Sequence, residues 1–106
     1  MKELIRDVKI LAGEEVTRSM INNPLFNSTH EGYAVIKEEI EEAQDELENV
    51  SDNLSNIWDC IKNNNLGGSM LNVKYLRTYA INLAAEAVQV AAMAQKYIDS
   101  FKEVEE

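Results

Sequence analysis

YAVIKEEIEEAQDELENVSDNLSNIWDCI runs from Tyr33 to Ile61. Its large and small apolar residues fall at Tyr33, Ile36, Ile40, Ala43, Leu47, Val50, Leu54, Ile57 and Ile61, in steps that alternate three and four without a slip. That spacing is a heptad seam, and it predicts a long α-helix packed against a neighbour. Ser51, Asp52 and Asn53 are poor helix formers and offer a second helix start. One kinked helix and two separate helices both remain open at this point.

Working outward, Ser28 and Glu31 have the spacing of a capping box, so the helix begins near Ser28 or Thr29. The chain's only proline, Pro24, lies in NNPLFNST and breaks the helical pattern before it. Leu4, Ile5, Val8, Ala12, Val16 and Met20 recur at helical spacing and predict a first helix over Lys2 to Asn22. NNNLGGS, from Asn63 to Ser69, reads as a loop, with a last helix from about Leu71 to Phe101. No segment alternates as a strand does. The expected fold is all-α, a single domain over residues 1–106. Two long helices form an antiparallel hairpin, an N-terminal helix packs on it, and a homodimer or homotetramer completes the bundle.

The chain has 106 residues, 45% of them hydrophobic, which is enough for one core. A net charge of −9 repels duplex nucleic acid and anionic membranes, so neither is an expected partner. The N-terminus lacks the apolar stretch of a signal peptide, and Leu83–Ala94 is too short and too interrupted to span a bilayer. Cys60 is the only cysteine, which fits a reducing compartment and a cytoplasmic protein. It reads as a small buried hydrophobe, and Trp58, Tyr33, Tyr75 and Tyr79 read as packing residues. His30 is the only histidine, so a zinc site has no support. Gly67 and Gly68 follow no strand and precede no Gly-Lys-Ser/Thr, so they form no phosphate loop.

Two polar features carry chemistry. Glu39 and Glu42 are three residues apart on the flank of the seam and can reach one cation, with Glu46 further along the same side. Glu38 and Glu41 turn away from the seam. An acidic face that is merely solvated is the plain alternative. In the last helix, AINLAAEAVQVAAMA (Ala80–Ala94) is apolar enough to be buried on most sides. Asn82, Glu86 and Gln89 interrupt it in one stripe, with Tyr79 above and Met93 and Lys96 below. A buried polar line needs partners, whereas an exposed amphipathic face needs none. Counted outward from a loop centred near Leu66, Glu86 lies level with Leu47, nearest Glu46. Glu42 is then offset by roughly 5–7 Å.

Glu38-Glu39-Ile40-Glu41-Glu42, with a second acidic motif at Glu86, resembles the MazG-like all-α nucleoside triphosphate pyrophosphohydrolases. HEGYAVIKEEIEE and AAEAVQVAAMAQKYI are most similar to small MazG-like phage or prophage proteins. The resemblance implies Mg²⁺-dependent hydrolysis of a nucleoside triphosphate to the monophosphate and pyrophosphate by a dimer or tetramer. It implies Glu39, Glu42, Glu86 and Gln89 as metal ligands; the register count alone adds Glu46 as a further candidate. Glu38 or Glu39 would assist the attacking water, and Asn82 and Lys96 would contact substrate, although a lysine there more often snorkels to solvent. Gln89 stands where the family's Glu-x-x-Asp has its aspartate, which would weaken metal binding and turnover. The alternative is a non-catalytic helical oligomer that binds a nucleotide or a protein partner. A plain assembly adaptor, with its glutamates as solubilising charge, is a third.

Overall fold

A computed structural model describes residues 1–22 and 24–105, with side chains described through Lys102. The chain is all-α: α1 (Lys2–Asn22), α2 (Thr29–Lys62) and α3 (Leu66–Glu105), with α2 and α3 packed antiparallel. None of the described helices is long and apolar enough to cross a membrane.

α2 starts where its cap predicts. Ser28 Oγ accepts from the Glu31 N–H at 3.1 Å, and the Glu31 carboxylate accepts from Asn27 Nδ2 at 3.2 Å. The helix then runs 34 residues without a break through Ser51–Asn53. Asn53 is buried, and its amide donates to the Asn49 carbonyl at 2.9 Å. That back-bond occupies the group that would otherwise compete with the helix.

The connection to α3 is shorter than the composition of NNNLGGS implies. Only Asn63–Asn65 lie outside the helices, and α3 begins at Leu66 rather than near Leu71. Asn64 takes a left-handed backbone, φ 54°. The Asn64 N–H donates to the Ile61 carbonyl at 3.1 Å and the Asn65 N–H to the Cys60 carbonyl at 2.8 Å. This pair of bonds is a Schellman closure of α2, with asparagine in the place glycine usually takes. Asn65 then caps α3, its Oδ1 accepting from the Gly68 N–H at 2.9 Å. Gly68 lies inside the first turn because the helices meet there. A Cβ on it would fall 2.8 Å from Cys60 Sγ and 2.5 Å from Asn65 Nδ2.

The chain divides into two compact units, one made of Met1–Ile40 with the chain from Glu86 onward, the other of Glu41–Ala85. In the first, Phe26, Ala92 and Met93 are buried, with Val16, Val35, Ile36, Tyr97 and Phe101 packed against them. The segment after Pro24 is pinned to α3: the Phe26 N–H donates to Ser100 Oγ at 2.9 Å, and Ser100 Oγ donates to the Lys96 carbonyl at 2.7 Å. The Tyr97 and Phe101 rings meet edge to face at 5.0 Å. Gly32 permits this packing, since a Cβ there would stand 2.5 Å from the Tyr97 ring and 3.1 Å from the Phe26 ring.

The second unit is the α2–α3 hairpin itself. Its seam is unevenly covered: Ala43, Val50 and Ile57 are half-buried, whereas Leu47, Leu54 and Ile61 are exposed. Trp58 and Tyr75, expected to pack, are more than half exposed, as is Tyr33 of the first unit. Ala80–Ala94 is likewise less buried than its composition implies, with only Ala92 and Met93 fully covered. A two-helix pairing buries one narrow line of each helix, which is too little to cover aromatic side chains on its flanks.

Two glycines test this packing against helix propensity. A Cβ on Gly13 would have no neighbour within 4 Å, so Gly13→Ala gains about 0.5–1 kcal/mol from helix propensity alone. Gly32→Ala makes the same propensity gain but overlaps Tyr97, and overpacking of about 1–3 kcal/mol outweighs it. Urea unfolding of the two variants is expected to move in opposite directions.

Candidate metal centre

α2 carries Glu39 and Glu42 one helical turn apart, and α3 carries Glu86. One carboxylate oxygen from each lies within 4.8 Å of the others. Glu39 and Glu86 are half-buried and Glu42 is exposed. The register that achieves this follows from the short turn. With Asn64 rather than Leu66 at its centre, Glu42 and Glu86 stand twenty-two residues to either side. The offset of a helical turn expected from a loop centred at Leu66 therefore disappears.

Three carboxylates this close repel one another unless protons or a cation intervene. Their donor set is all oxygen, which selects hard cations over zinc. Octahedral Mg²⁺ at about 2.1 Å from each ligand needs ligand oxygens about 3.0 Å apart when adjacent and about 4.2 Å apart when opposite. A triad with its oxygens inside 4.8 Å fits that requirement with little adjustment. One turn further along α2, Glu46 is half-buried and its Oε2 is buried with no hydrogen-bond partner. A buried carboxylate oxygen without a donor is costly, and a nearby cation would relieve the cost.

The polar stripe of α3 sinks progressively into the protein. Asn82 is exposed, Glu86 and Gln89 are half-buried, and Met93 and Lys96 are buried. From Glu86 onward the stripe is thus turned inward. Lys96 is 3% exposed with its Nζ 5.0 Å from the centre of the Phe26 ring, so it does not snorkel. Glu38 is exposed on α2, directly before Glu39. His30 opens α2 in a shallow depression with Thr29, Tyr33 and Tyr97. Cys60 is half-buried at the hairpin end, with Asn72 Nδ2 at 4.0 Å from its sulfur.

One residue that spacing did not single out belongs here. Glu15 of α1 accepts a hydrogen bond from Gln89 Nε2 at 2.6 Å in a part-buried setting, and also pairs with Arg18. Its signal was faint but present, because Glu15 lies between Ala12 and Ser19 on the half-buried stripe of α1.

No family model matches this chain, and comparison with curated proteins and with solved structures finds no match. The residues and their geometry therefore carry the functional reading.

A cation held by the triad stabilises the folded chain by mass action. Wild-type protein is expected to show a melting midpoint that rises with Mg²⁺ or Mn²⁺ concentration. In Glu39→Gln/Glu86→Gln the rise disappears. Circular dichroism melts over a metal titration measure the effect.

Proposed function

We infer that this chain is a MazG-like, Mg²⁺-dependent nucleoside triphosphate pyrophosphohydrolase that yields the monophosphate and pyrophosphate. What supports it most is the approach, within 4.8 Å, of the Glu39 and Glu42 carboxylates of the Glu-Glu-x-x-Glu motif to that of Glu86 on another helix. A merely solubilising acidic face has no reason to concentrate like charges across two helices.

In this reading Glu39, Glu42 and Glu86 would hold the metal, with Gln89 and Glu46 as further candidate ligands. When bound there, a divalent metal would supply charge neutralisation at the triphosphate and the departing pyrophosphate. Water attacks the α-phosphorus and the bond from that phosphorus to the bridging oxygen of the β-phosphate breaks. The water proton would pass to Glu39, or to Glu38 if its exposed side chain swings toward the substrate. Asn82, exposed one turn before Glu86, offers an amide to the substrate, and it is more accessible to a dissolved phosphate than the buried Lys96.

The same inference includes a homo-oligomer. Tyr33, Ile40, Leu47, Leu54 and Ile61 recur every seventh residue along α2, and each is at least 40% exposed. A line of large apolar side chains at heptad spacing suits a partner helix, and a second copy of the chain supplies one. Sedimentation is expected to give a dimer or tetramer for wild type and a monomer for Leu47→Glu/Leu54→Glu. Both positions are more than half exposed, so the monomer keeps its helicity.

A second reading, a non-catalytic oligomer that binds a nucleotide or a protein partner, draws support from Gln89. The motif's acid is absent, and the amide nitrogen of its replacement is engaged by Glu15. Pyrophosphate release from a panel of nucleoside triphosphates, with and without Mg²⁺, separates the two. The enzyme reading expects Mg²⁺-dependent release that drops at least about 100-fold in Glu39→Gln or Glu42→Gln. Nucleotide binding with no release from any substrate would sink it in favour of the second.

A further inference from the structure

Met1–Leu11, which includes the first half of α1, is exposed throughout. Met1, Leu4, Val8 and Leu11 advance by three, four and three residues, the step of a helix–helix seam. Met1, Leu4, Ile5 and Val8, with Ala12 and with Ala91 of α3, line an apolar groove of about 330 Å³, and Lys9 lines it too. At the pitch of an α-helix, Lys2 and Lys9 fall on one flank of this stripe with Arg6 further round, and Glu3 and Asp7 fall on the other. Three bases against two acids make the segment slightly basic, in a chain of net charge −9.

The exposed apolar line of α2 has the opposite charge beside it. Leu47, Leu54 and Ile61 are flanked by Glu41, Glu48 and Asp52, all exposed, on the side away from the half-buried Ala43, Val50 and Ile57. No lysine or arginine occurs between Ile40 and Ile61. In both helices the charged flank lies on the same rotational side of the apolar line. Flanks of that kind face each other when the two helices run antiparallel.

We propose that the exposed line of α2 is covered by α1 of a second copy of this chain, laid antiparallel so that Lys2 and Lys9 stand against Glu41, Glu48 and Asp52. This rests on the homo-oligomer reading above, names the helix that fills the seam, and takes nothing from the metal centre. Two α2 helices paired antiparallel would instead set two acid flanks against each other.

The test is a charge exchange, read by sedimentation equilibrium on the full chain with circular dichroism to confirm the helices. Lys2→Glu/Lys9→Glu and Glu48→Lys/Asp52→Lys are each expected to raise the dissociation constant at least about tenfold, because each sets like charges across the contact. All four substitutions in one chain restore opposite charges and bring the constant back to within about threefold of wild type. Assembly that is unaffected by Lys2→Glu/Lys9→Glu but lost in Leu47→Glu/Leu54→Glu overturns the role of α1 and leaves the oligomer standing. Two weakened pairs with no recovery in the combined chain overturn the matching of these flanks. A monomeric wild type overturns both readings together. Should a variant fail to fold, the wild type decides through a zero-length carbodiimide, which joins amines to carboxylates in contact. Bonds from Lys2 or Lys9 to Glu41, Glu48 or Asp52, between a heavy-isotope-labelled copy and an unlabelled one, support the proposal. Cross-links between copies elsewhere, with none at these residues, overturn it.

Discussion

A turn of three asparagines sets the register of this protein. Asn64 accepts a left-handed backbone, its N–H and that of Asn65 close α2, and the side chain of Asn65 opens α3. No slack remains between the helices, so α3 must return antiparallel along α2 in one alignment. Gly68 allows the close approach to Cys60 at the start of that return. A longer loop would have left the pairing free to slide by a turn, and a slide of one turn is enough to separate Glu86 from Glu42.

Electrostatics then gives the alignment its meaning. Carboxylates crowd together on the α2 flank and on the inward stripe of α3 in a chain that already carries a net charge of −9. That set of oxygens could hold a hard divalent cation. The buried, undonated Oε2 of Glu46 adds to the same demand for positive charge. Gln89 moderates it, because a neutral amide replaces one more charge and is bound by Glu15 rather than repelled by it.

Much of this was legible in the residues alone. The span of α1 and the start of α2 at its Ser28 cap follow from spacing and capping chemistry, whereas the structure decided that α2 runs unbroken through Ser51–Asn53. So does the placement of Glu39 and Glu42 on one side of α2. The start of α3 was not legible, because two adjacent glycines and a serine look like a loop and here sit in a helix capped by Asn65. Burial was overestimated for Trp58, Tyr33 and Tyr75, since periodicity identifies an apolar line and is silent on whether anything covers it. Lys96 went the other way: it is buried, with its ammonium 5.0 Å from the centre of the Phe26 ring.

The order of residues was enough to dictate the helices, their caps and the local pairing of Glu39 with Glu42, because those depend on residues within a few positions of each other. It took the packed chain to bring Glu86 to them, to bind Gln89 to Glu15 on a helix seventy-four positions away, and to fold Phe26 under Lys96. The difference is one of scale. Helical order comes from contacts four residues long, while the convergence of distant charges depends on the length of one turn and on which small residues let two backbones come close.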